Sequence, residues 1–323
     1  MHILVTGCAG FIGSHVTEAL LKQGDTVTGI DNFDDFYDHD IKHKNISASR
    51  ANENFTLYIN DLTDSSLLLD HIFRHHEFDA ICHLAARAGV RPSIESPLVY
   101  QQNNVLATTN LLELAVKHGI DRFVFASSSS VYGDSALEYE ALVEEDDALA
   151  DYPISPYAAS KRACELIGYT YHHLYDITFT ALRFFTVYGP RQRPEMAIHK
   201  FTRNIMNGEK IFIFGDGESS RDYTYIDDCV DGVLAAIDQS DEDKANYRIY
   251  NIGGDQPIVL NDLIKLIEEE TGKKATTERI SDQPGDVLHT VADITNASND
   301  LMYMPKVSME EGIHRFVEWI RYG

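Results

Sequence analysis

Apolar positions along the first part of the chain come in short blocks separated by longer amphipathic ones. Ile3 to Val5 form an apolar run that ends at Thr6-Gly7, and a glycine-spaced turn leads into an amphipathic stretch, Ser14 to Lys22, closed by Gly24 as its C′ residue. Thr26 to Ile30 reads as the next strand and ends at Asp31, so the chain opens strand, helix, strand. The alternation continues with strands over Phe55–Ile59, Ala80–Leu84, Arg122–Ala126 and Phe179–Phe184, and with helices over Leu67–His75, Asn104–Lys117 and Ser155–Tyr175. Strands joined through helices run parallel, so the expected fold class is α/β, a Rossmann-type doubly wound parallel sheet with helices on both faces.

Past Gly189 the pattern loosens. Residues 190–222 are rich in Gly, Pro and Arg and predict one short strand, Ile211–Phe214. Asp227–Ile237 then reads as a helix, Tyr247–Ile252 as a strand, Val259–Thr271 as a helix ended by Gly272, and Ser308–Arg321 as a final amphipathic helix. The division this predicts is a larger domain, 1–185, to which 223–252 return, and a smaller, discontinuous α/β domain made mainly of 186–323. Glu138–Asp151 holds seven acids and no base and reads as a solvated loop.

Composition narrows the partners. The formal net charge of −24 over 323 residues repels nucleic acid and anionic membrane, so neither is expected as a partner. A small anionic ligand would need a local group of Arg and Lys working against that field. The four cysteines, Cys8, Cys82, Cys164 and Cys229, are scattered without metal-ligand spacing; they read as reduced, buried thiols, and no metal is expected. The N-terminal MHILVTG lacks a basic segment followed by a long apolar one, and no apolar run approaches the length of a membrane span, so the expected location is cytoplasmic.

The turn Gly7-Cys8-Ala9-Gly10-Phe11-Ile12-Gly13 lies between a strand and a helix at the start of a βαβ unit. Glycines there let the backbone turn tightly and approach a pyrophosphate, which rests on the positive end of the helix. Asp31 ends the second strand, where a carboxylate accepts hydrogen bonds from the adenosine ribose and repels a 2′-phosphate; NAD is therefore expected over NADP. Asp61-Leu62 follows the third strand and can meet the adenine, and Leu84-Ala85-Ala86 closes the fourth with side chains small enough for a close cofactor. Both stretches read equally well as core packing.

Tyr157 and Lys161 stand four apart on a predicted helix and share a face. A free phenol is a poor base at neutral pH; an ammonium on that face and a cationic nicotinamide favour phenolate. Lys161 can also hold the nicotinamide ribose. The strand end Ser127-Ser128-Ser129-Ser130 places a hydroxyl where it can reach the substrate oxygen that Tyr157 deprotonates.

Taken together, VTGCAGFIGSH, IDNF, HLAA, SSSSVYG, YAASK, RFFTVYGP, SRDYTYIDD, NIGG and the closing EEGIHRFVEWI resemble the extended short-chain dehydrogenase/reductase family over effectively the whole chain. The subgroup it most resembles is the UDP-glucuronate 4-epimerases, through GIDNFDDFYD, AGVRPSIESP, RFFTVYGPRQRPEMAIHKF and QPGDVLHTVAD. The resemblance implies an isomerase: Tyr157, with Ser128 and Lys161, takes the proton of the sugar 4-hydroxyl while hydride leaves C4 for NAD, the 4-keto sugar turns, and hydride returns to its other face. It extends the cofactor set to Phe11, Ile12, Asn32, Ser127 and Phe184.

On the UDP-sugar side the resemblance implies Arg87, Ser129, Ala197, Ile211 and Ile213, with Thr186 and Arg193 beside the sugar carboxylate. Arg221 matches the family's diphosphate arginine, Lys200 and Arg191 are further cations for that group, and Asp286 meets the uridine ribose. Oxidation at C4 of a glucuronate makes a β-keto acid prone to lose carbon dioxide, and Arg193, Thr186 and Ser129 are candidates to clamp the carboxylate against it. UDP-glucose or UDP-N-acetylhexosamine 4-epimerases are the alternative within the family. Dehydratases and decarboxylases carry acids where this chain has Ser129-Ser130, and a non-catalytic NAD-binding module would not need Ser128, Tyr157 and Lys161 together. A homodimer is implied, formed through the helices near 100–117 and 155–174.

Overall fold

The computed structural model describes residues 1–64, 66–137, 150–239, 246–281 and 289–323. In chain order, β1 (His2–Thr6), α1 (Phe11–Gln23), β2 (Thr26–Asp31), α2 (His39–Asn45), β3 (Phe55–Ile59), α3 (Ser66–His75) and β4 (Ala80–His83) come first. Two short helices, α4 (Val90–Glu95) and α5 (Pro97–Tyr100), run through a π-helical turn (Gln101–Leu106) into α6 (Ala107–His118). Then follow β5 (Arg122–Ser128), α7 (Pro156–Tyr175), β6 (Thr178–Phe184), β7 (Thr186–Tyr188), α8 (Ala197–Asn207), β8 (Lys210–Phe214) and β9 (Ser220–Tyr225). The chain ends with α9 (Ile226–Asp238), β10 (Tyr247–Ile252), β11 (Pro257–Val259), α10 (Leu260–Thr271), β12 (Thr276–Ile280), α11 (Thr295–Leu301) and α12 (Met309–Tyr322).

Seven strands form one sheet in the order β10-β6-β5-β4-β1-β2-β3, every neighbouring pair parallel. Successive side chains point to opposite faces, so β1 sends Ile3 and Val5 into one apolar layer with Val16 and Leu20 of α1 and Val233 of α9, and Leu4 into another with Leu111 of α6, Cys164 of α7 and Leu69 of α3. The doubly wound sheet expected from the alternation is thus the architecture observed. Strand order reverses between β1 and β4, which opens a crevice at the carboxyl ends of the strands. A three-stranded sheet, β11-β9-β7, and the pair β12-β8 stand beside it, under α8, α10 and α12.

The loosened segment is more ordered than its pattern predicts. Residues 197–207 form α8, whose N-cap, Met196, makes no side-chain capping bond, so the usual start signal is missing. By contrast α7 begins where the pattern puts it, because the Ser155 hydroxyl accepts the Ala158 N–H at 3.1 Å and Pro156 fits the first turn. Most of the acidic stretch, 138–149, lies outside the described residues.

One polar knot pins three elements of the large sheet. Glu165 of α7 and Arg183 of β6 are both fully buried and form two parallel bonds, Nε to Oε1 at 2.9 Å and Nη2 to Oε2 at 2.8 Å. Arg162 adds a bond to Oε2 at 3.1 Å, and Ser127 at the end of β5 donates to Oε1 at 2.5 Å. From Arg183 the chain of bonds passes to Tyr132 (3.1 Å), to Asn251 of β10 (2.7 Å) and to the Asp293 carbonyl (3.0 Å). Burial alone raises a carboxyl pKa; here the Arg183 and Ser127 bonds outweigh it and hold Glu165 below its usual value. Glu165→Ala leaves buried guanidinium uncompensated and should cost about 3–5 kcal/mol in urea unfolding, with Glu165→Gln falling between it and wild type.

Candidate active site

The carboxyl ends of the strands open onto a cleft of about 400 Å³ that runs from Gly7 across the sheet to Met196. Its floor is the glycine turn. Gly7 has φ +68°, and a Cβ there would lie 2.9 Å from the Ala85 backbone nitrogen; a Cβ on Gly13 would lie 2.0 Å from the Gly7 carbonyl oxygen. Gly10 caps α1 without a side-chain bond, so the first amides of the helix face the cleft with its positive end. Glycine is thus required for the backbone to fold this tightly on itself, and the turn it makes at the helix N-terminus fits the pyrophosphate of a dinucleotide.

Asp31 is buried at the end of β2. Its Oδ2 accepts the Ala9 N–H at 3.0 Å and its Oδ1 the Phe33 N–H at 2.8 Å, which fixes the carboxylate and leaves lone pairs for ribose hydroxyls. Next to it Asn32 donates to Asp61 at 2.8 Å. Burial pushes the Asp61 carboxyl up, but bonds from the Thr63 hydroxyl and amide and from Asn32 more than offset this and hold it below its ordinary value. Gly7, Gly10, Phe11, Ile12, Gly13, Asp31, Asn32, Asp61, Leu62, Leu84, Ala85, Ala86, Ser127 and Phe184 all line the cleft. These residues fit NAD.

At the reacting end, three residues four apart on α7 meet the end of β5. The Ser128 hydroxyl, bonded to Ser130 at 3.1 Å, lies close enough to the Tyr157 phenol to pull its pKa down, Lys161 Nζ donates to the Ala126 carbonyl at 2.6 Å, and Glu165 accepts from Ser127. Tyr157 and Ser128 line the cleft, whereas Lys161 is buried behind them over the Phe125 ring, outside the lining. Here the structure departs from the expectation that Lys161 lowers the Tyr157 pKa. Burial raises that pKa, and the groups pulling it down are Ser128 and Arg193. The reason is that the Lys161 ammonium is turned onto a carbonyl; burial lowers its own pKa to about 8.

Of the residues expected on the sugar-nucleotide side, Arg87, Ser128, Ser129, Thr186 and Arg193 line the same cleft. Ala197 and Lys200 lie on the exposed side of α8, and Ile211 and Ile213 point inward from β8 into the core, so none of these lines it. Arg221 on β9 also lies outside the lining and donates to the Ser220 carbonyl at 3.0 Å. Arg191 is held by Glu18 at 2.8 and 3.0 Å and by Ser14 at 3.2 Å, tying its loop to α1. Asp286 is outside the described residues.

Sequence reasoning missed two groups. The loop after β2 brings Asp34, Phe36 and Tyr37, and α2 brings the buried Lys42, to the cleft wall. Asn104, inside the π-helical turn, accepts the Arg87 N–H at 2.8 Å and donates to the Ser160 hydroxyl at 2.8 Å, fastening the loop after β4 to α7. The run DNFDDFYD is the signal that could have exposed the first; a single π-turn has no sequence signal of comparable strength.

Residues 4–316 match the family model described as GDP-mannose 4,6 dehydratase, and the chain belongs to that family, within the extended short-chain dehydrogenase/reductases. Among curated proteins it is 43% identical to the UDP-glucuronate 4-epimerase of Thermodesulfobacterium geofontis, over 98% of this chain and 95% of that one. Among solved structures it matches UDP-glucuronic acid 4-epimerase from Bacillus cereus in complex with UDP-glucuronic acid and NAD, at 38% identity and a TM-score of 0.91 over 99% of both chains. It also matches UDP-glucose 4-epimerase from Thermotoga maritima with UDP-glucose, at 34% identity and a TM-score of 0.88 over 99% of both.

The electrostatics of Tyr157 make a spectroscopic prediction. Burial opposes the phenolate and Lys161 is turned away, while Ser128 and Arg193 act with or without cofactor, so a positive nicotinamide ring would add a further lowering. The phenolate absorbance that Tyr157→Phe removes should appear at lower pH in NAD-loaded protein than in NAD-free protein.

Proposed function

We propose that this protein is an NAD-dependent isomerase that inverts C4 of UDP-glucuronate to give UDP-galacturonate. The observation that carries the reading is one cleft holding a dinucleotide cradle, the Tyr157–Ser128 pair and Arg193 together. The relatives that bear this activity by name, and the likeness to an enzyme solved with UDP-glucuronic acid and NAD, support it.

In this reading the Tyr157 phenolate accepts the proton of the sugar 4-hydroxyl, and Ser128 holds the same oxygen and passes the proton. The bound nicotinamide supplies the hydride acceptor and donor for C4. Lys161 keeps the Tyr157 helix on β5 through the Ala126 carbonyl. The 4-keto uronate is a β-keto acid, so the site has to hold the carboxylate away from the geometry that releases carbon dioxide. Arg193, Thr186 and Ser129 all line the cleft and form the clamp we propose. Arg193 rests on Glu195 at 3.3 Å, and Glu195 is 46% exposed; so solvated an ion pair is weak, and a substrate carboxylate can replace it.

By the same reading residues 1–185, with 223–252, carry the cofactor and 186–323 mainly carry the UDP-sugar, Asp286 included. No described helix is long and apolar enough to cross a membrane; we place the enzyme in the cytoplasm, in keeping with four free, buried thiols. Leu106 and Val116 on one side and Leu166, Tyr169 and Leu174 on the other leave apolar surface on α6 and α7 and on the turn before α6, where we propose the homodimer forms.

Proton NMR of UDP-glucuronate incubated with the purified protein, without added cofactor, should show UDP-galacturonate growing to a fixed ratio. A UDP-pentose, or no change, would overturn the assignment. Tyr157→Phe should keep its NAD and lose on the order of a thousandfold in kcat. Arg193→His and Arg193→Ala should raise the KM for UDP-glucuronate far more than they weaken competition by UDP-glucose; equal effects would remove Arg193 from carboxylate recognition.

A further inference from the structure

Phe36 lies at a place in the cleft that neither hydride transfer nor proton transfer requires. Its half-buried ring is part of the wall, and two guanidinium groups lie over it: Arg87 Cζ is 4.5 Å and Arg193 Cζ 5.5 Å from the ring centroid. Two cations drawn to one ring repel each other, so each needs a counter-charge in addition to the negative face of the ring. Arg87 has Asp34 and Arg193 has Glu195.

The two pairs are not equivalent. Asp34 is bound into its loop: its carboxylate also accepts the Phe36 N–H at 2.8 Å, and its carbonyl accepts Lys42 Nζ at 2.6 Å. The bonds that hold Arg87 therefore also place the ring. Glu195 is the more exposed of the two carboxylates, 46% against 32% for Asp34, and in the described structure Arg193 is its only recorded ion-pair partner. An incoming carboxylate thus meets one guanidinium held in a network and one held by a solvated partner, and the second is the one free to exchange.

We propose that Phe36 is a specificity-determining positioning residue: its ring keeps the Arg193 guanidinium aimed into the cleft while the sugar carboxylate takes the place of Glu195. The ring contact persists through the exchange, so the arginine does not have to be reordered when the substrate binds. A sugar with an uncharged C6 gains nothing from this arrangement. The inference rests on the UDP-glucuronate reading and adds to it the residue that sets the preference.

The test uses NAD-loaded protein and two substitutions. Phe36→Leu keeps an apolar side chain of similar bulk and removes the π face, and Phe36→Tyr retains the face. In Phe36→Leu the KM for UDP-glucuronate should rise roughly tenfold, with a smaller change in kcat and little change in the inhibition constant of UDP-glucose. Phe36→Tyr should stay near wild type. A general loosening of the loop would weaken both nucleotides alike, so the ratio between them is the informative quantity. Failure of the wild-type protein to epimerise UDP-glucuronate overturns the functional reading and this inference with it. Wild-type turnover overturns the role of Phe36 alone if Phe36→Leu keeps the wild-type ratio, or if Phe36→Tyr behaves as Phe36→Leu does.

Discussion

Glu165 carries its charge where no water reaches, and the reacting end of the cleft is arranged around how that charge is met. A lone carboxylate in such a place would take up a proton; this one faces two guanidinium groups and a hydroxyl. Because Arg183 stands on β6, Ser127 on β5 and Glu165 on α7, satisfying one carboxylate registers two strands against the helix that carries Tyr157 and Lys161. Each of those residues is four positions from the next, and each meets β5 within its last three residues, Ala126 to Ser128. The buried pair thus confers geometry as well as stability: the hydroxyl that faces the phenol is next in sequence to the hydroxyl that faces Glu165.

A chain with a net charge of −24 nevertheless builds a site suited to anionic ligands. It does so locally. The α1 N-terminus offers amides and a positive dipole end at the glycine turn, and Arg87 and Arg193 stand across the cleft with an acid apiece. Pairing each cation with an acid avoids leaving bare positive charges side by side, and a pair that remains partly solvated costs little to break. Ligand charge can then be accommodated by exchange of partners. Arg191 is the contrast: it looks equally available in the sequence, but its Nη2 donates to both Glu18 oxygens and its Nη1 to Ser14, which makes it a tie between loop and helix.

The phenol is another place where position in space overrules spacing. Tyr157 and Lys161 share a face of α7, as their separation demands, yet the ammonium bonds the Ala126 carbonyl and the phenol turns to Ser128. Spacing on a helix says which side chains are neighbours. It does not say which acceptor each will choose once a strand end with its own carbonyls and hydroxyls packs against that face.

Local chemistry settled much of this protein. The glycine turn, the acid at the end of β2, the Ser155 cap and the alternation of apolar runs with amphipathic ones each depend on residues close together in the chain, and each can be read from it. Such features specified the parallel sheet and the cofactor half of the cleft. Contacts made at long range settled the rest: α8, which has no capping signal, the short strands β7, β9, β11 and β12, which exist through their partners, the joining of Glu165 to Arg183, and the convergence of Arg87 and Arg193 on Phe36. A side chain's neighbours across a fold depend on how whole elements pack, and no short window of sequence carries that information.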